Sequence, residues 1–315
     1  MRQQEKGTAD LPPLHLPHLG LGGAGLGGAH YGEVSQTQAI LAVERALAGG
    51  LRYLDTSPAY GQSEGRIGRA LRGVPRSSYQ LSTKVGTRPG LEGYRAEAVR
   101  RSLAHSLEAL NTDYLDLVLV HDPPDLAQVL APGGALEALE DLRAQGTVGA
   151  IGLGVRSLAL HRQALASGRF QALLTFLDYT LLRQDARALF DEARRQGVAL
   201  INGSPLAMGL LGGGDPRAHR QTALHWIAPD EPGWGDDVAR AEVLWRWSRE
   251  RQLDLAALAI QYSLRQPAFA CTLVGATSAP EVERTLRACE ETFADEVWRE
   301  LEVQLRTSGG IHEDH

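Results

Sequence analysis

The chain has 315 residues, 43% hydrophobic and 22% charged, with a formal net charge of −6. It is long enough for one large α/β domain or two smaller ones, and its acidic balance argues against nucleic acid or an anionic membrane as a partner, leaving small-molecule chemistry. No apolar run approaches the ~20 residues of a spanning helix, and the polar start from Met1 to Asp10 lacks a signal-peptide core, so a cytoplasmic protein is expected.

Taken in chain order, short apolar runs alternate with helical patterns. The first run, Leu19 to Gly23, leads into Gly20-Leu21-Gly22-Gly23-Ala24-Gly25, which fits G-x-G-x-x-G. A dinucleotide loop of the Rossmann type should open straight into a helix with an acid about 20 residues on. Here the helical pattern starts only near Gln36, and the first acid closing a strand is Asp55, so that reading is rejected. Further strands are expected at Leu51 to Asp55, Tyr79 to Lys84, Tyr114 to His121, Val148 to Gly154, Ala172 to Leu177, Val198 to Ser204 and Cys271 to Ala276. Helical periodicity covers Ala96 to Leu110, Ala135 to Ala144, Asp185 to Gln196 and Asp254 to Arg265. Eight alternating units predict a parallel sheet closed as a single (β/α)8 barrel, one domain over residues 1–315 with ends 1–18 and 308–315 peripheral. The stretch Gly209 to Asp236, with Trp226 and Trp234, is either a lid or a surface excursion packed on the barrel. Cys271 and Cys289 make no disulfide framework, and the ten histidines show no metal-ligand spacing, so no metal site is expected.

Of 32 Lys and Arg residues only Lys6 and Lys84 are lysine. Arginine stays charged at any working pH, whereas a buried lysine can be tuned, so Lys84 is singled out. Asp55, Lys84 and His121 close three successive predicted strands, and Tyr60 lies in the loop after Asp55. In a (β/α)8 barrel those carboxyl ends meet at one mouth, where catalytic groups sit. An ammonium beside a phenol favours the phenolate and should lower the tyrosine pKa from near ~10, while a carboxylate holds the ammonium protonated. His121 would hydrogen-bond the substrate oxygen. With no nucleophile motif in the chain, this set suits hydride transfer to or from a nicotinamide.

Gly50-Leu51-Arg52-Tyr53-Leu54-Asp55-Thr56 followed by Tyr60-Gly61-Gln62-Ser63-Glu64, then Ser82-Thr83-Lys84, then Asp113-Tyr114-Leu115-Asp116 through His121, resemble motifs of the aldo-keto reductase superfamily from about Leu19 to Leu301. The resemblance implies a tetrad of Asp55, Tyr60, Lys84 and His121, with Tyr60 as general acid/base. It implies NAD(P)(H) across the barrel mouth, with cofactor contacts at Gly22, Gly23, Ser204, Leu206, Gly209, Leu211, Gly275, Thr277, Ser278 and Glu281. Ser204 to Leu211 and Val120-His121-Asp122-Pro123 look most like the L-galactose dehydrogenase and D-threo-aldose 1-dehydrogenase branch, which implies oxidation of a sugar at its anomeric carbon to a lactone. Tyr31, Arg88, Asp122 and Trp226 are the expected substrate contacts. The chain departs from the family pattern at Gly154-Val155, Phe176 and Gly203, where the nicotinamide would be gripped. The turn after the last strand has Ala276, Ser278 and Val282 where NADP-dependent relatives place cations. Ser278 with Glu281 reads as a capping box that puts a carboxylate there, which favours NAD over NADP unless Arg284 reaches the phosphate. The alternatives are an NADPH-dependent aldehyde or ketone reductase, and a cofactor-binding regulatory subunit like the potassium-channel β subunits. Oligomeric state is left open.

Overall fold

A computed structural model describes residues 14–28, 32–219 and 234–307. Eight strands, each pairing in parallel with its sequence neighbours and β8 closing on β1, make a closed barrel. They are β1 (Leu19–Gly22), β2 (Tyr53–Asp55), β3 (Gln80–Val85), β4 (Leu115–His121), β5 (Val148–Gly154), β6 (Ala172–Phe176), β7 (Ala199–Gly203) and β8 (Phe269–Gly275). Helices fill the connections: α1 (Gln36–Ala48), α2 (Ser63–Ala70), α3 (Ala96–Leu110), α4 (Ala127–Leu130), α5 (Ala135–Ala144), α6 (Leu158–Ser167), α7 (Phe190–Gln196), α8 (Trp234–Glu250), α9 (Leu255–Leu264), α10 (Ala279–Glu290) and α11 (Asp295–Thr307).

The (β/α)8 barrel expected from the alternation of patterns is the observed fold. β2 is two residues shorter than expected because the Leu51 N–H is drawn back to the Ala46 carbonyl at the end of α1. β8 begins two residues early, where Phe269 pairs with Leu200 beside a register shift in β7. Of the expected helix Asp185 to Gln196, the first turn is a 3₁₀ helix, Asp185–Leu189. Gly25–Gly27 after β1 is likewise a 3₁₀ turn, and α1 starts at Gln36 behind a Ser35/Gln38 capping box. The stretch Gly209 to Asp236 contains a 3₁₀ turn at Pro216–His219 and the start of α8; Trp226 lies outside the described residues, as do residues 1–13 of the expected peripheral end 1–18 and the whole of the end 308–315.

Side chains alternate along each strand, so residues two apart share a face. The inward faces supply Tyr53, Leu117, Leu119, Ala150, Ala172, Leu174, Ile201, Cys271 and Leu273, with Leu14 and Leu16 packed against them at the amino-terminal end. Each large aliphatic side chain buried this way contributes about 1.5–3 kcal/mol. Gly20 is glycine because a Cβ there would stand 2.8 Å from the Tyr53 ring and 2.8 Å from Leu273. The barrel is therefore a filled core below its mouth. Among the described residues no helix is long and apolar enough to cross a membrane.

Candidate active site

One step up from the apolar layer, the same alternation brings polar groups inward on the second to fourth strands. Tyr53 and Asp55 share the inner face of β2, and Ser82 and Lys84 that of β3, with Asp55 in register with Ser82. Lys84 is 1% exposed. Its Nζ donates to Asp55 Oδ2 at 2.5 Å and to the Thr56 carbonyl at 2.9 Å. The other Asp55 oxygen accepts from Ser82 Oγ at 2.7 Å, and Tyr53 Oη lies 2.8 Å from that Oγ. Taking an unpaired ammonium out of water would cost several kcal/mol; the Asp55 charge and this hydrogen-bond set offset that cost. Burial alone would pull the Lys84 pKa down, but Asp55, Tyr60 and the hydrogen bonds to both outweigh it and leave the pKa above its ordinary value.

Tyr60 sits in the loop between β2 and α2, with the Lys84 ammonium 4.9 Å from its ring centre. Burial pushes the phenol pKa up, the Lys84 charge and hydrogen bond pull it back, and the Asp55 charge adds a smaller upward push. The net direction is upward. This corrects the expectation of a lowered value: the ammonium acts in the expected sense, and desolvation of the phenolate exceeds it.

His121 ends β4 edge-on to Tyr60, with ring centres 5.8 Å apart and planes at 88°. Burial, helped by the nearby Lys84 charge, holds the imidazole well below its usual range, so it is neutral at physiological pH. Its Nδ1 meets Thr87 Oγ1 at 2.7 Å and Ser57 Oγ at 3.3 Å. Nε2 lies 3.5 Å from Asp122 Oδ2. Asp122 is exposed at the rim in a left-handed conformation, φ 43°, and Tyr94 Oη donates to the carbonyls of both His121 and Asp122. Desolvation raises the Asp122 carboxyl pKa, opposed by Lys84.

The structure thus brings Asp55, Tyr60, Lys84 and His121 together with Asp122 at the rim. Arg88, expected to contact substrate, points elsewhere: it donates to Glu64 at 2.9 Å, Ser106 at 2.7 Å and Ser102 at 3.1 Å, between α2 and α3. Tyr31 and Trp226 lie outside the described residues. Sequence reasoning missed Ser57, Ser82, Thr87 and Tyr94. Ser82 was findable, two residues before Lys84 on the same strand face; Thr87 and Tyr94 lie in a connection with no periodicity to read.

On the opposite side, the ends of β7 and β8 open into a cleft of about 900 Å³ running over the starts of α9 and α10. Ser204, Leu206, Gly209, Gly275, Thr277 and Glu281, six of the positions named as cofactor contacts, line it, as do the exposed Arg249 and Arg284. Strand alternation turns Gly22, Gly154, Gly203 and Gly275 to the inner face at the ends of their strands. Four expected contacts do not line the cleft, Gly22 at the end of β1 and three more. Gly23 is buried, and a Cβ there would stand 2.7 Å from the Asp55 carbonyl, so packing explains it. Leu211 is fully buried in the apolar cluster beneath α8 and α9. Ser278 is the N-cap of α10 without a side-chain bond; the Ser278/Glu281 capping box does not form. Instead Glu281 accepts from the Thr277 N–H at 2.7 Å and the Thr277 hydroxyl at 3.0 Å, still placing a carboxylate in that turn.

A neutral imidazole, a phenol and a clamped ammonium at one mouth can exchange a proton with a bound hydroxyl or carbonyl. Comparison with known proteins points the same way. L-galactose dehydrogenase of Arabidopsis thaliana is 31% identical over 83% of this chain and 81% of its own length. D-threo-aldose 1-dehydrogenase of a Pseudomonas species is 28% identical over 85% of this chain and 88% of its own. A solved aldo-keto reductase of Bacillus halodurans covers 96% of each chain with a TM-score of 0.71 at 24% identity, a likeness of fold. Residues 18–305 match the Aldo/keto reductase family, and with the barrel and its mouth this settles the class: the chain belongs to that family of nicotinamide-using oxidoreductases.

Proposed function

We propose that the protein is a dehydrogenase that oxidises a cyclic aldose at C1 to a lactone, with Asp55, Tyr60, Lys84 and His121 as its working groups. The observation that carries this is the buried Asp55–Lys84 ion pair, which sets the ammonium 4.9 Å from the Tyr60 ring centre beside a neutral His121. His121 orients the anomeric hydroxyl, and Tyr60 Oη takes its proton as the C1 hydride departs. Lys84 stabilises the phenolate that accepts the proton, and Asp55 keeps Lys84 charged and aimed. The nicotinamide, when bound, accepts the hydride. Asp122 at the rim accepts hydrogen bonds from further sugar hydroxyls. Arg88, held by Glu64 and two serines, is left out of the substrate contacts. The names of the sugar-oxidising relatives support this substrate class.

For the cofactor, we favour NAD over NADP because the Glu281 carboxylate, fixed by Thr277, would repel a 2′-phosphate in that turn. Arg249 and Arg284 in the cleft lining are the groups that would oppose this preference. A second reading, an NADPH-dependent aldehyde or ketone reductase, is favoured by the upward shift of Tyr60, since a protonated phenol is the acid that reduction needs. Initial rates of an aldose panel with NAD against an aldehyde panel with NADPH separate the two. The first pair is expected to react faster; a tenfold advantage for the second would overturn the aldose assignment.

A further inference from the structure

If His121 is to donate a hydrogen bond to substrate, the one proton of its neutral ring must be on Nε2, and free imidazole does not fix that choice. The surroundings of the ring do. On one edge, Nδ1 faces Thr87 Oγ1 at 2.7 Å and Ser57 Oγ at 3.3 Å. Ser57 Oγ already accepts from the Ala59 N–H at 3.1 Å, which leaves its own proton to point at Nδ1. On the other edge, Nε2 stands 3.5 Å from Asp122 Oδ2, an oxygen that attracts an N–H and repels a lone pair. The Nδ1 edge offers two hydroxyl protons to an accepting nitrogen, and the acceptor-only carboxylate on the other edge decides between the tautomers: Nδ1 accepts, and Nε2 carries the proton toward the mouth. The strand end is held in place by the Tyr94 hydroxyl on the His121 and Asp122 carbonyls, so the ring keeps this address.

We infer that Thr87, seconded by Ser57, is a positioning residue that locks His121 in its Nε2-protonated tautomer and so prepares it to donate to the substrate oxygen. Thr87 touches no reacting atom in this role and acts through His121 alone. The inference rests on His121 being the substrate-facing group proposed above, but the tautomer can be read without turnover. The test is the imidazole ¹⁵N spectrum of the full chain labelled in histidine, with the His121 signals assigned by their loss in His121→Gln. The parent and Thr87→Ser are expected to show Nε2 protonated and Nδ1 bare, and Thr87→Val a mixture of tautomers. With a sugar or carbonyl substrate, kcat of Thr87→Val is expected to fall about tenfold, the order of one hydrogen bond. KM should stay within about threefold, and Thr87→Ser should restore kcat. A parent His121 protonated on Nδ1 would overturn the inference, as would an unchanged tautomer or an unchanged kcat in Thr87→Val. Should no substrate turn over, the proposed function fails, while the spectrum still decides the tautomer.

Discussion

Two ion pairs stand on opposite faces of β3. On the inner face Lys84 pairs with Asp55; the neighbouring Thr83, on the outer face, donates to Glu64 at 2.7 Å, and Glu64 in turn pairs with Arg88. The outer pair uses the arginine fork: one guanidinium reaches a carboxylate and two serine hydroxyls, knitting α2 to α3. The inner pair uses a compact ammonium, whose charge reaches both Asp55 and Tyr60. Nearly every other cation in the chain is arginine, so the contrast separates a fastening from a tuned proton device.

Substitutions can break that contrast. The largest effect is expected for Tyr60→Phe, which removes the proton-exchanging hydroxyl: turnover should fall by about 10³-fold, within the range of general acid/base contributions, with the melting temperature nearly unchanged. Lys84→Arg comes next. A planar fork cannot occupy the site of a point charge 4.9 Å from the Tyr60 ring centre, and activity should fall by about 10²-fold with the fold retained, as steady-state kinetics and circular dichroism would show. The smallest effect on catalysis belongs to the outer pair. Arg88→Lys should leave kcat within a few-fold of the parent while costing about 1–2 kcal/mol in chemical denaturation, because an ammonium cannot reach Glu64, Ser102 and Ser106 together. If Arg88→Lys lost activity as severely as Lys84→Arg, the division between the two pairs would fail.

The sequence already contained most of this architecture. Apolar runs bounded by glycine and polar turns read directly as strands, and α3 and α5 coincide with their three-to-four periodicity. Asp55, Lys84 and His121 were legible because strand ends in a barrel converge, so three separate positions in the chain imply one place. What escaped depended on balances of energy or on irregular backbone. The direction of the Tyr60 shift is a contest between burial and Lys84 that no motif encodes. Arg88 sits one turn past Lys84, and only the geometry of α2 and α3 shows that it faces outward. Ser278 and Glu281 had capping-box spacing, yet the Thr277 N–H and hydroxyl took the carboxylate first.

The central claim, that an Asp55-clamped ammonium draws the proton chemistry onto Tyr60, is tested most directly by the pH dependence of residual sugar oxidation in Lys84→Met against the parent. Oxidation needs the phenolate, so its rate rises with pH through the Tyr60 pKa. Lys84 lowers that pKa in the intact protein. Removing it should therefore move the rise to higher pH and lower the rate at neutral pH. A rise at the same pH in both proteins would show that Lys84 does not govern Tyr60, and would contradict the account.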